Sequence, residues 1–142
     1  MPLNFFAPKP GRFGVEVVTL TVKPTFGTLA AGTVAHMLGG YNKRAQVSSV
    51  SIAATTFPTA ATSIVATLQK KPSGTAVALT SGIDINTKTA QTAVRGNVAG
   101  TVTDAARTLN PGETLLLSVV TTGSVTVQPD DVVVTVELLV LE

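Results

Sequence analysis

The chain has 142 residues and a mass of 14.5 kDa, the size of one domain with room for a real core. Hydrophobic residues make up 44% and charged residues 13%, against about 25% charged in an average globular protein, which excludes intrinsic disorder. Ten Lys and Arg against eight Asp and Glu leave a net charge of +2, too small to build a strong field even though the pI is 9.2.

Residues 1–14 stand apart, with three prolines (Pro2, Pro8, Pro10), two glycines and three of the five phenylalanines. The prolines bias this stretch to extended backbone, and it reads as an N-terminal arm in front of a domain spanning 15–142. Beyond it the pattern has a period of two. Val15, Val17, Thr19 and Thr21 share one face of a predicted strand, with Glu16, Val18, Leu20 and Val22 on the other. A second strand runs from Thr33 to Leu38 and stops at Gly39-Gly40. A third covers Gln46 to Ala54, with Ser48, Val50, Ile52 and Ala54 on one side, until Phe57-Pro58 breaks the pairing.

Thr62 to Lys70 has Ile64, Ala66 and Leu68 on one face, and Lys71-Pro72-Ser73-Gly74 is a turn signal. A short strand follows over Thr75 to Thr80. Between 81 and 112 only the Ile83/Ile85 alternation and one capped helical turn at Thr101 to Arg107 are legible. Asn110-Pro111-Gly112 is a turn, Thr114 to Thr122 an apolar strand, Ser124 to Gln128 a short strand, and Pro129-Asp130-Asp131 another turn. The last strand, Val132 to Leu141, is apolar on both faces. With 23 Thr and 21 Val against one Tyr and no Trp, about eight strands at roughly ten-residue spacing argue for an all-β sandwich or barrel.

The chemistry-bearing residues are sparse. No cysteine means no disulfide, thiolate nucleophile or zinc knuckle. The lone His36 sits inside a strand with no Gly-x-Ser-x-Gly elbow, and reads as a satisfied side chain. The adjacent acids Asp130 and Asp131 belong to a turn. A calcium loop starting at Asp84 fails, with Thr89 where glycine is needed and Arg95 where the bidentate Glu belongs. Gly39-Gly40-Tyr41-Asn42-Lys43-Arg44 lacks the Gly-Lys-Ser/Thr ending of a phosphate loop and reads as a hairpin-like connection with two solvated charges. Gly96 and Gly100, flanking Asn97-Val98-Ala99, match no dinucleotide fingerprint. Outside the arm, Phe26, Tyr41 and Phe57 are the only candidates for an exposed sugar-binding aromatic. Basic residues are scattered, with only Lys43-Arg44 and Lys70-Lys71 adjacent, so a nucleic-acid partner is not expected. The expectation is a protein without enzymatic activity, cofactor or metal. It has no visible signal peptide and no apolar run long enough to cross a bilayer, and is made in a cytoplasm in soluble form.

Two features point outward. The apolar outer faces of 114–122 and 132–141 are either subunit contacts, with Leu116 and Leu139 at their centres, or central strands covered by loop 81–112. In the arm, Phe5, Phe6 and Phe13 together offer roughly 5–9 kcal/mol on burial. Fixing each backbone residue costs about 1–2 kcal/mol, so the arm needs a preformed surface that also supplies backbone hydrogen bonds, such as a sheet edge. That surface belongs either to its own sandwich or to a neighbouring subunit.

Phe5-Phe6-Ala7-Pro8 in the arm, the stretch from Arg107 through Asn110-Pro-Gly-Glu-Thr-Leu-Leu-Leu to Gly123, and Val125 to Leu138 resemble the small virion proteins of tailed bacteriophages. Within these the chain is most similar to capsid decoration, or cement, proteins with a jelly-roll-like domain. The resemblance implies an antiparallel β-sandwich of jelly-roll type behind an extended arm, located in the virion. It also implies a homo-oligomer, a trimer first, bound to the major capsid protein or another virion subunit, with no membrane contact. Leu3, Phe5, Phe6 and Phe13, with Lys9 and Arg12 as charge partners, would form the clasp. A tail, head-tail connector or receptor-binding fibre subunit would share the same architecture.

Overall fold

The computed structural model describes residues 16–96 and 107–141. Twelve strands follow in order: β1 (Glu16–Val22), β2 (Gly32–Gly40), β3 (Ala45–Thr56), β4 (Thr59–Ala60), β5 (Ser63–Ser73), β6 (Thr75–Ala78), β7 (Ile83–Asp84), β8 (Val94–Gly96), β9 (Thr108–Leu109), β10 (Thr114–Thr122), β11 (Val125–Val127) and β12 (Asp130–Val140). The first sheet has the order β1-β12-β3-β8, with β9 also along β3. The second has the order β2-β10-β5-β6, with β7 also along β5. Every pairing is antiparallel.

Taking β1, β2, β3, β5, β6, β8, β10 and β12 as the eight principal strands, the chain's first and last strands are neighbours in one sheet. The second and second-to-last are neighbours in the other. This interleaving is the jelly-roll order, so the chain is an all-β antiparallel sandwich of that type. The N-terminal arm and the expected helical turn at 101–106 lie outside the described residues, as does the glycine pattern from Asn97 to Gly100.

The core follows from the period-two pattern. Val50 and Ile52 of β3 and Val134, Val136 and Leu138 of β12 meet Ile64, Ala66 and Leu68 of β5 and Leu115, Leu117 and Val119 of β10, all buried. The alternation expected for 46–54 slips once. β3 takes an extra residue opposite Glu137/Leu138, so Val47 turns inward and Ser48 outward instead of sharing the face of Val50.

Three local expectations are corrected. Strand β5 runs through Lys71 to Ser73, and the reversal falls on Gly74 alone, whose φ of +59° suits glycine. Residues 41–44 do not close a hairpin but carry the chain across from the second sheet to the first. Asp130 already belongs to β12, paired with Thr56, and Asp131 adopts a φ of +53° as the strand begins. The turn Asn110-Pro111-Gly112-Glu113 holds as expected, closed by a 3.0 Å bond from the Glu113 N–H to the Asn110 carbonyl.

Two connections that cross between the sheets run side by side at one end of the sandwich. β4 and β11 pair there, extended by bonds from the Ala61 N–H to Ser124 O and from the Thr62 N–H to Thr122 O. In the described part of loop 81–112 the Ile85 N–H bonds Ile64 O beside β5 and the Gln91 N–H bonds Ala54 O beside β3, where Gln91 lines a shallow groove with Ala53, Thr55 and Val133 on the outer side of the first sheet.

Candidate assembly surface

Strands β10 and β12 are both central, but their outer faces differ. On the first sheet, cross-strand rows read Val17–Leu139–Gln46, Thr19–Glu137–Ser49 and Thr21–Thr135–Ser51. Ser48 Oγ donates to the Glu137 carboxylate at 2.7 Å. Leu139 is thus half-buried beside Val17, and two hydroxyl-rich rows separate this pair from the next outward apolar pair, Val133–Ala53.

On the second sheet the rows read Met37–Leu116–Gln69, Ala35–Ser118–Thr67 and Thr33–Val120–Val65. Met37 is 71% exposed and Val120 42%. Leu116 lies between Met37 and Gln69, half-buried. Neither β2 nor β10 contains a single Asp, Glu, Lys or Arg. This apolar surface runs to the edge of the sheet, because β10 is the only strand paired with β2 among the described residues.

The edge is held in place from behind. Residues 23–31 cross from β1 to β2, and Leu29 is buried in the core. The Leu29 N–H donates to Gln128 Oε1 at 2.7 Å, and Gln128 Nε2 donates back to the Leu29 carbonyl at 3.0 Å. Phe26 stacks on His36 with centroids 4.4 Å apart and planes within 6°. Burial pushes the His36 imidazole below its ordinary pKa, opposed by a hydrogen bond to the Thr25 backbone. His36 is therefore a packed side chain, as its sequence setting indicated.

Beside this loop lies a groove of about 330 Å³ lined by Lys23, Phe26, Pro129, Asp130 and Asp131 among others. Lys23 Nζ meets Asp131 Oδ1 at 2.6 Å, and Thr55 Oγ1 donates to Asp131 Oδ2 at 3.1 Å. The Lys23 hydrogen bond, with Thr55 and the lysine charge behind it, holds the Asp131 carboxyl below the usual range. At the opposite end Lys70, buried against the core, reaches Glu113 at 3.5 Å and donates to the Thr108 carbonyl. Glu113 also accepts the Asn110 N–H at 2.8 Å. Asp84, read from sequence as a failed calcium position, accepts the Asn86 N–H at 2.9 Å and pairs with Lys88 at 3.0 Å.

The hydrogen bonds and ion pairs among the described residues bring together no nucleophile, base and orienting group. No cluster of three potential metal ligands occurs among the described residues. Phe57 is buried, so it is not an exposed aromatic; Phe26 and Tyr41 are half-buried. The arm residues Leu3, Phe5, Phe6, Lys9, Arg12 and Phe13 lie outside the described residues. The sequence reading missed Met37, Val34 and Val120; an uncharged, proline-free run between Gly32 and Gly40 was the available signal. No protein-family model, curated protein or solved structure matches the chain.

Proposed function

We propose that the chain is a non-enzymatic structural subunit of a tailed-phage virion, a capsid decoration or cement protein. It binds the outside of the head as a trimer and stabilises contacts between capsomers, with the major capsid protein as its partner. The observation that carries this reading is the uncharged β2–β10 face, with Met37 and Val120 exposed, running out to a nine-residue edge strand that has no second partner among the described residues. An apolar surface ending in open backbone donors and acceptors serves permanent association better than turnover or reversible ligand capture. The jelly-roll order, shared by many capsid domains, supports it. Leu3, Phe5, Phe6 and Phe13, with Lys9 and Arg12, act as the clasp.

The second reading, a tail, connector or fibre subunit, is favoured by one feature. The groove at the end of the sandwich combines Phe26 with Asp130 and Asp131, a composition suited to a receptor sugar. Antibody against the purified chain, applied to gradient-purified particles from the culture that produces it, separates the readings by electron microscopy. Label over the head surface is the expected result. Label on the tail selects the second reading, and particles without label overturn both.

A further inference from the structure

Sheet edges in soluble proteins are normally guarded by charged residues, prolines, shortness or a covering segment. β2 has none of these among the described residues. It is nine residues long, carries no charge and no proline, and exposes Val34 and Met37; its single irregularity faces β10. The other edges are better guarded. β6 has four residues, β8 has three, and β1 begins with Glu16 and is followed by Lys23. Of the six exposed large hydrophobic residues, Val34, Met37, Val77 and Val120 belong to the β2 sheet.

The chain itself contains a segment suited to this edge. In an extended strand, alternate residues direct their N–H and C=O groups to the same side. The arm's prolines occupy positions 2, 8 and 10, all even. Every missing donor therefore falls on one side of the strand. On the other side Leu3, Phe5, Ala7, Lys9, Gly11 and Phe13 keep their N–H groups, and they share one side-chain face. Such a segment can add to a sheet as its last strand but cannot be sandwiched between two others. Its odd-numbered face carries Leu3, Phe5 and Phe13, apolar like the surface that Met37 and Val120 expose.

We infer that residues 3–13 of one copy add as a strand to the free β2 edge of a neighbouring copy. The neighbour, rather than the same copy, follows from reach. Glu16 and Ala45 both pair with Val140, so the arm leaves at the end of the sandwich where β2 finishes. To run back along its own β2, the chain would have to cross from one sheet to the other, about 10 Å, and also reverse direction. The three steps from residue 13 to residue 16 span about 10 Å at full extension, so the crossing would have to be fully stretched, and the arm would then lie parallel to its own β2 where every described pairing is antiparallel. An arm-to-edge contact between copies is heterologous, the kind of interface from which a closed ring such as a trimer is built. The inference rests on reading the arm as an assembly clasp, and it names the surface the clasp engages.

The test uses the purified chain without any shell, so its failure leaves the head-labelling result untouched. One variant lacks residues 1–14, and another is the full chain with Val34→Lys and Met37→Lys. Native mass spectrometry is expected to show each alone as a monomer and their equimolar mixture as a one-to-one complex, one arm meeting one edge. A mixture that stays monomeric, or either variant keeping the parent oligomer, overturns the inference; an oligomer that survives loss of the arm points to β2 pairing with β2. Because arm removal could impair folding, proline parity supplies a second test in the full chain. Ala7→Pro should abolish assembly, whereas Asn4→Pro should preserve it. Equal effects of the two substitutions overturn the strand-addition geometry.

Discussion

Gln128 and Leu29, 99 positions apart, are joined by two hydrogen bonds that use both the amide oxygen and the amide nitrogen of the glutamine. This bidentate clasp fastens the crossover 23–31 to the segment between β11 and β12, and so fixes where β2 begins. Each such bond contributes about 1 kcal/mol net. Gln128→Leu should therefore lower stability by about 1–2 kcal/mol in denaturant titration. It should also speed hydrogen exchange at Leu29 while leaving the β3–β12 amides protected.

The stacked His36 gives acid stability a defined shape. Burial lowers its pKa, so the folded state binds the proton less tightly than the unfolded chain. Stability is full above the ordinary histidine value of 6.5 and declines as pH falls below it. Asp84 and Asp131 titrate later. Their carboxyls are held below 3.8, Asp84 mainly by the Asn86 N–H and Asp131 mainly by Lys23, so their contribution is lost only as pH drops below that value. Thermal unfolding should thus show two separate acid steps. In His36→Gln the melting temperature should be nearly flat between about pH 7 and about pH 5, with the lower step unchanged.

Lys70 and Glu113 form a nearly buried ion pair tying β5 to the turn before β10. Removing one partner leaves the other charge without its counter-ion in a dry site, at a cost of about 3 kcal/mol. Lys70→Met should be destabilised by that order. The double variant Lys70→Met/Glu113→Leu should recover most of the loss, which a double-mutant cycle by chemical denaturation would measure.

Thr121 carries a buried hydroxyl with no hydrogen-bond partner among the described residues, between Gly32 and Ile64. Valine has the same shape without the polar atom. Thr121→Val should raise stability by about 1 kcal/mol, visible as a higher denaturation midpoint with unchanged slope.

Much of this architecture was legible in the sequence because β-strand burial follows a period of two. Val132, Val134, Val136 and Leu138 point inward as read, and so do Ile64, Ala66 and Leu68. What failed has specific causes. The extra residue at Ser48 reset the parity of β3, and a bulge leaves no mark in a run of small polar residues. The short strands β4, β7 and β9 have two residues each, too few for any period. Strand order is a property of long-range pairing, so the equal apolarity of 114–122 and 132–141 hid an unequal setting. Leu139 faces Val17 and Gln46 next to rows of hydroxyls, whereas Leu116 faces Met37 on a strand with no second partner among the described residues. That contrast assigns the apolar surface to one sheet, which no local pattern could do.

If a neighbouring copy completes the β2 sheet, the full-length chain is an oligomer in solution, and native mass spectrometry at micromolar concentration reads this without any other virion component. A closed oligomer of three 14.5 kDa chains is the expected result. A monomer at every concentration would contradict it and would return the arm to a surface of its own sandwich.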